Sequence, residues 1–399
     1  MTNPPLYNLS PIAQIMFAGV LAALGPLAWL WLRNRRAGGA QWLRALALLT
    51  LFLCFDLVLF GAFTRLTDSG LGCPDWPGCY GNASPVGASS AITLAQTAMP
   101  TGPVTHGKAW VEMIHRYLAT GVGVLILALA VVAWVQWRRA ARRPDFGAAP
   151  AVHPWWPTLT LAWVCLQGAF GALTVTMRLF PAIVTLHLLG GMVLLALLCA
   201  QAVRANRAVS GRVPTALPRL ARSLLLLTCA LVACQIALGG WVSTNYAVLA
   251  CREFPMCQGS WWPTMDFHQG FSLWRPLGMT PAGHPIEFSA LTAIHYVHRL
   301  FAYLVIVVLG WLAWRLRATG LRRQARWIAA LALWQFGTGL SNVVLGWPLP
   351  AAVGHTGGAA ALVVVLTWSV VASRRVQPAR ESAATDAGAA QSPPVRLPA

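Results

Sequence analysis

Apolar runs long enough to cross a membrane follow one another along the chain, separated by polar connections. A helix needs about 20 apolar residues to span a hydrocarbon core of about 30 Å. The hydrophobic pattern predicts nine such helices, over 12–32, 42–66, 111–137, 155–176, 182–203, 219–243, 290–314, 325–346 and 350–373. The sequence therefore predicts an all-α, polytopic membrane protein.

Composition excludes several other classes of protein. Hydrophobic residues make up 57% of the 399 residues and charged residues 10%, whereas an average soluble domain is about a quarter charged. This balance excludes a soluble enzyme and a disordered scaffold. The net charge of +19 does not indicate a nucleic-acid partner, because the arginines lie mainly in short connections between predicted helices.

The basic connections give the predicted orientation. Arginines cluster in every second connection, at 33–44, 138–143, 204–219 and 315–326, and again at 374–375. By the positive-inside rule these segments face the cytoplasm. We therefore expect a bacterial inner-membrane protein with its N-terminus in the periplasm and its C-terminus in the cytoplasm. Two long connections, 67–110 and 244–289, then lie on the periplasmic side.

Four of the helices recur as an internal repeat. The sequence GAFTRLTDSGLGCPDWPGC, from Gly61 to Cys79, aligns without a gap to GGWVSTNYAVLACREFPMC, from Gly239 to Cys257. Further on, Gln167 and Gln335 each precede a histidine by twenty residues. Helices 42–66 to 182–203 are therefore repeated as 219–243 to 350–373.

One histidine recurs on the second and on the fourth helix of each repeat. These are His115 and His187 in the first repeat and His298 and His355 in the second. A buried ionisable side chain in a membrane is costly and indicates function, and two neutral imidazoles at one depth suit a heme iron. We expect each pair, within about five residues of the periplasmic helix ends, to ligate one heme.

Charged residues near these histidines are candidates for two further roles. Arg65, Arg116 and Arg299 could grip heme propionates; the alternative is an arginine that reaches the lipid headgroups. Glu112 precedes His115 by three residues and shares its helix face, whereas the second repeat has His295 at this position. A carboxylate there could accept a proton; the alternative is a glutamate that only stabilises a helix N-terminus.

Four of the nine cysteines lie in the two long periplasmic connections. Cys73 with Cys79, and Cys251 with Cys257, are expected to form disulfides because the periplasm is oxidising. Neither pair has the CxxCH pattern of covalent heme attachment. A structural disulfide and a redox-active pair that exchanges with a periplasmic thiol protein both remain open.

Together these motifs resemble the heme A synthase family. The resemblance rests on TRLTDSGLGCPDWPGC, on EMIHR at 112–116, HLLGG at 187–191, HYVHR at 295–299 and HTGG at 355–358. It implies two pseudo-symmetric four-helix bundles and oxidation of the C8 methyl group of heme O to a formyl group. It also implies a resident heme b on His298 and His355, substrate heme O on His115 and His187, catalysis by Glu112 and a Cys73–Cys79 disulfide.

The sequence and the resemblance together lead us to expect a division of the chain and a set of partners, although the extra N-terminal helix departs from the eight-helix family pattern. The expected segments are an extra N-terminal helix and basic loop at 1–41, bundles at 42–203 and 204–373, and a disordered cytoplasmic tail at 374–399. Expected partners are the bilayer, a heme O synthase and a periplasmic thiol-redox protein or electron donor, with homo-oligomerisation left open. A non-enzymatic diheme cytochrome and a heme-delivery factor for oxidase assembly are the rival functions.

Overall fold

The computed structural model describes residues 10–142 and 152–375. The long helices are α1 Ser10–Asn34, α2 Gly39–Leu66, α4 His106–Ala141, α5 Trp155–Thr176, α6 Pro181–Ser210, α7 Arg219–Thr244, α9 Phe288–Arg317, α10 Arg322–Val344 and α11 Leu349–Val371. Two short helices, α3 Ser89–Ala98 and α8 Phe267–Gly270, lie in the long connections. The long helices occupy the nine predicted positions, and the largest difference is that α6 continues to Ser210.

Eight of the described helices are long and apolar enough to cross a membrane, and α10 is not among them. The span predicted at 325–346 therefore forms a helix, α10, but this helix differs from the other eight in composition. Its second half carries four polar residues, Gln335, Thr338, Ser341 and Asn342. These side chains lower the hydropathy of α10, and two of them contact the histidine site described below.

The helix contacts fall into two sets. Helices α2 and α5 each pack against both α4 and α6, and α7 and α10 each pack against both α9 and α11. We call these sets the N-terminal half and the C-terminal half. They meet where α11 contacts α2 and α6, and where α6 contacts α7. The division of the chain into two bundle domains stays a prediction.

Helix α1 packs mainly against α4, outside the repeated helices. Small residues at the crossing allow the backbones to approach closely. A side-chain carbon placed on Gly121 of α4 would lie 3.5 Å from the carbonyl oxygen of Gly19 and 3.5 Å from Cβ of Ala22. These are ordinary van der Waals distances for a single carbon, so alanine would fit at position 121 and a side chain larger than that would push the two helices apart.

A short parallel strand pair and two arginines join the halves at the end that we predict to be cytoplasmic. Strand β1, Thr215–Leu217, pairs with β2, Ser373–Arg375. Arg207 donates to the carbonyl oxygen of Val371 at 3.2 Å, and Arg222 donates to that of Ser373 at 3.4 Å. The predicted disordered tail is therefore wrong for residues 374 and 375, because their backbone pairs with β1; residues 376–399 lie outside the described residues.

The largest cluster of buried apolar residues extends through both halves. It includes Leu46 of α2, Leu129 of α4, Leu195 of α6 and Leu312 of α9, all between 0% and 1% exposed. Each of these leucines lies between the predicted histidine ligands and the end that we predict to be cytoplasmic. The apolar packing thus fills that side, and the polar contacts of the site occupy the opposite end.

Candidate heme-binding sites

Each of the four predicted ligands packs against a glycine of a neighbouring helix. A side-chain carbon placed on the glycine would lie 3.0 Å from Cε1 of the imidazole for Gly61 and His115, 3.4 Å for Gly171 and His187, 2.9 Å for Gly239 and His298, and 3.4 Å for Gly339 and His355. Every one of these glycines lies five residues before the last residue of its helix. At about 1.5 Å per residue, the four contacts have matching heights in their helices.

The structure brings the histidines together as the two predicted pairs. His115 and His187 lie within the range of each other's charge, and so do His298 and His355. We predicted that each histidine lies within about five residues of a helix end. This prediction is wrong for His115 and His298, because α4 and α9 begin at His106 and Phe288. His115 and His298 consequently lie nine and ten residues from the helix starts, and each of those helices projects further beyond the site.

The ring nitrogens of the two pairs have different surroundings. Among the described residues, Nδ1 of His115 and Nδ1 of His187 are buried without a hydrogen-bond partner. In the C-terminal half, Nδ1 of His298 lies 3.1 Å from Nε2 of Gln235, and Nδ1 of His355 lies 2.9 Å from Oγ1 of Thr338.

The contact between Thr338 and His355 fixes the roles of both groups. The Thr338 hydroxyl donates its proton to the carbonyl oxygen of Trp334 at 2.8 Å. Its oxygen must therefore accept from the Nδ1–H of His355. The Nε2 atom of His355 then keeps its lone pair, which is the form of imidazole that ligates a metal.

These residues fit a heme in each half. A pair of neutral imidazoles supplies two axial ligands, and a porphyrin brings the other four. The glycine behind each ring leaves room for the Cε1 edge of the imidazole to approach the neighbouring helix. Buried ring nitrogens without a partner carry a free-energy cost, which a bound iron would remove where the unpaired nitrogen ligates it.

Glu112 is buried in a network that joins α4 to the first disulfide loop. Its side chain is 4% exposed, Oε2 accepts a hydrogen bond from the backbone N–H of Cys73 at 2.8 Å, and Oε1 pairs with Arg116. Both carboxylate oxygens thus have partners at the end of the N-terminal half that we predict to be periplasmic. The carboxylate lies one helical turn from His115, on the face that the i, i+3 spacing predicts.

His295 occupies the same position in the C-terminal half and makes a different contact. It is 6% exposed, and its Nδ1–H donates to the carbonyl oxygen of Ala247 at 3.0 Å. The two halves therefore differ in charge at equivalent positions. A carboxyl group paired with Arg116 is present in the first half, and an imidazole takes its place in the second.

Arg116 and Arg299 bind the carbonyl oxygens of the two disulfide loops. Arg116 donates to Pro77, Gly78 and Asp75 at 2.9, 2.6 and 3.1 Å. Arg299 donates to Glu253, Met256 and Cys251 at 2.9, 3.0 and 3.2 Å. The propionate role of these arginines stays a prediction; the partners in the structure are the loops.

The two loops have the same local structure. The disulfides Cys73–Cys79 and Cys251–Cys257 are both present, as the cysteine positions predict. In each loop an acidic side chain accepts from the backbone after the second cysteine. Asp75 accepts from the N–H groups of Tyr80 and Gly81, and Glu253 accepts from that of Gly259 at 2.9 Å.

The third propionate candidate, Arg65, lies between the halves. It donates to the carbonyl oxygen of Ser243 at 2.5 Å and its guanidinium lies 4.2 Å from the ring centre of Tyr246. The Tyr246 hydroxyl in turn donates to Asp68. Positions 65 and 243, and positions 68 and 246, are equivalent in the repeat, so both contacts lie close to the axis that relates the halves.

Comparison with known proteins identifies the family. The family model for COX15-CtaA, described as cytochrome oxidase assembly protein, matches residues 44–367. The chain belongs to this family. The matched segment contains all four paired histidines, Glu112 and both disulfide loops, and begins after helix α1.

Curated relatives within the family are named heme A synthase. The protein of Shewanella oneidensis is 38% identical over 80% of this chain and 92% of its own length. Those of Rhizorhabdus wittichii and Halalkalibacterium halodurans are each 26% identical, over 83% and 75% of this chain and 92% and 86% of their own lengths. The similarity to these family members covers the repeated helices of both halves.

Four residues that contact the paired histidines were not predicted from the sequence. Gly171 and Gly339 follow their repeated glutamines by four residues, so the repeat itself was a signal for them. Gln235 and Thr338 had no such signal, because the equivalent residues in the first repeat are Leu57 and Phe170. Only the packing of the helices shows that these two side chains reach the histidines.

Proposed function

We propose that the protein is a heme A synthase, which oxidises the C8 methyl group of heme O to a formyl group and so provides heme A for cytochrome c oxidase. One observation carries the proposal: both halves have a glycine-backed histidine pair, but only the first has a buried carboxylate, Glu112, one turn away. A protein that only passed electrons would need the pairs and not this asymmetry.

The two halves are assigned different hemes from the surroundings of their histidines. Side-chain partners that orient a ligating imidazole strengthen metal binding. His355 has such a partner in Thr338, and the amide nitrogen of Gln235 contacts both the ring and the carbonyl oxygen of His298. This half suits a resident heme b, which would supply a one-electron redox centre when bound. His115 and His187 have none among the described residues, which suits substrate heme O that must bind and leave.

Glu112 is assigned the proton transfers of the oxidation. Conversion of a methyl group to a formyl group releases protons, and a carboxylate near the porphyrin edge can accept them. The N–H of Cys73 and the guanidinium of Arg116 hold this carboxylate in place. We also propose the bacterial inner membrane as the location, with the N-terminus periplasmic and the C-terminus cytoplasmic.

Pigment analysis tests this function. The protein is co-expressed with a heme O synthase, and its hemes are extracted and separated. Heme A should form with the wild-type protein and be absent without it. A non-enzymatic diheme cytochrome or a heme-delivery factor would bind heme and yield none of the formyl product, and this result would overturn the proposal.

A further inference from the structure

A cleft of about 530 Å³ lies on the outer face of the C-terminal half, between α10 and the start of α11. Its lining residues are Ala330, Leu333, Trp334, Gly337, Thr338, Ser341 and Ala351. Leu333 is 74% exposed and Trp334 is 53% exposed, so in a membrane this cleft opens to the lipid. The cleft is open along one side, so a flat ring could enter it from the lipid.

Two hydroxyl groups line this otherwise apolar cleft. Thr338 lies at its inner wall and, through the hydrogen bond described above, contacts Nδ1 of His355. Among the residues that the structure describes, the hydroxyl of Ser341 has no hydrogen-bond partner. A free hydroxyl that faces hydrocarbon is unfavourable, so Ser341 is available to donate to a ligand that accepts a hydrogen bond.

The equivalent positions of the first repeat carry no such groups. By the register that aligns Gln167 with Gln335, the counterparts of Trp334, Thr338 and Ser341 are Leu166, Phe170 and Leu173. The polar character of this surface is therefore specific to the C-terminal half, whose histidines have side-chain partners.

We propose that this cleft binds the headgroup of an isoprenoid quinone, the terminal electron acceptor of the oxidation; this rests on the proposed function. A quinone dissolves in the bilayer, its carbonyl oxygens accept hydrogen bonds from groups such as Ser341, and its flat ring can stack on Trp334. One methyl group, one water molecule and two quinones give one formyl group and two quinols. The methyl carbon loses two C–H hydrogens net and gains a double bond to the oxygen of water, and the four electrons and four protons released reduce the quinones.

The cleft can be filled without disturbing the helix. A side-chain carbon placed on Gly337 meets nothing within 4 Å, so Gly337→Phe projects a ring into the open cleft. The matched control is Ala169→Phe, at the equivalent and exposed position of α5. Neither residue contacts a histidine.

The experiment uses the full-length protein in nanodiscs and a photoreactive azido analogue of decylubiquinone. We expect label in peptides that span 330–351, competition by excess decylubiquinone, and about tenfold less label in Gly337→Phe than in Ala169→Phe, which corresponds to a modest steric penalty. Heme b content, measured by pyridine hemochrome, should be equal in the two variants. A menaquinone analogue in a second arm distinguishes the two quinone classes.

Label that excess quinone does not displace, or that is unchanged in Gly337→Phe, would overturn the proposal, since it would indicate ordinary lipid contact. Turnover provides an independent reading: with decylubiquinone as sole oxidant, Gly337→Phe should form heme A about tenfold more slowly than Ala169→Phe. If wild-type protein makes no heme A with any oxidant, the proposed function fails, and the photolabel alone then decides whether the cleft binds quinone.

Discussion

The two halves of the molecule have the same histidine and glycine framework and differ in the polar groups around it. In the N-terminal half, Glu112 is buried beside the first disulfide loop, and Nδ1 of both histidines lacks a hydrogen-bond partner within residues 10–142 and 152–375. In the C-terminal half, His295 replaces the carboxylate, and Gln235 and Thr338 contact the paired histidines. After duplication, the framework was retained while its surroundings changed.

This difference supports our proposal that the C-terminal half holds a resident heme and the N-terminal half oxidises a bound substrate heme. Hydrogen bonds to the outer nitrogen of an imidazole fix the ring and favour a permanent ligand. The first half has no side-chain contact of this kind among the described residues, which suits a substrate that exchanges. Substitutions at the paired histidines, at their side-chain partners, in the disulfide loops and at the contact between the halves test this difference.

Removal of a C-terminal ligand should have the largest effect on bound heme. His298→Ala or His355→Ala should remove most low-spin heme b, because a single imidazole does not hold the iron between two helices. The spectrum of purified protein measures this, with His115→Ala as the matched variant of the other half. Full heme b absorbance in both C-terminal variants would contradict the assignment of the halves.

Exchanging a histidine partner for its counterpart should weaken heme b without abolishing it. Position 57 of α2 is equivalent to position 235 of α7 and holds a leucine. Gln235→Leu therefore gives the C-terminal half the residue of the N-terminal half. Loss of a group that orients a ligand costs about 10–100-fold in metal affinity. Heme b retention during dilution measures the effect, and Leu57→Gln is the reciprocal variant, which should slow release from the first half. Equal retention in wild type and Gln235→Leu would remove the proposed basis for a resident heme.

The disulfide loops should differ in their effect on product. Thiol labelling without reductant should miss Cys73, Cys79, Cys251 and Cys257, and reductant should expose them. Cys73→Ser should lower heme A yield several-fold more than Cys251→Ser. The reason is that the backbone N–H of residue 73 holds Glu112, whereas His295 takes the place of Glu112 beside the second loop. Loss of the disulfide should cost a similar free energy of unfolding in either loop, typically about 2–5 kcal/mol. Equal yields in the two variants would make both disulfides purely structural.

The contact between the halves should give the smallest effect. Tyr246→Phe removes one hydrogen bond to Asp68, worth about 1 kcal/mol, and should lower the thermal stability of the protein slightly. Burial raises the pKa of Tyr246 above its ordinary value, so the hydroxyl stays protonated and the bond persists as pH rises until it passes that raised pKa. Stability measured from neutral to alkaline pH checks this, with Tyr80→Phe as control. A stability loss in Tyr246→Phe that is larger at high pH than at neutral pH would contradict it.

The sequence predicted the features that depend on period and repetition. Helix positions follow from apolar run length, and the pairing of His115 with His187 and of His298 with His355 follows from the repeat. The contacts of Arg116 and Arg299 could not be predicted, because a guanidinium at a helix end can bind a propionate, a headgroup or a loop carbonyl with similar geometry. The partner of His355 on α10 also required the packing of that helix against α11, which no periodicity specifies.

Replacement of Glu112 tests the division of labour between the halves most directly. Glu112→Gln keeps the size of the side chain and one acceptor oxygen but cannot take up a proton, and general acid–base catalysis contributes about 10²–10⁴-fold. Hemes extracted from this variant, co-expressed with a heme O synthase, should contain heme b at the wild-type level, traces of heme A, and accumulated heme O or its alcohol. Heme A at close to the wild-type rate would contradict the account, because Glu112 would then be a charge at a helix end and the two halves would not differ in chemistry.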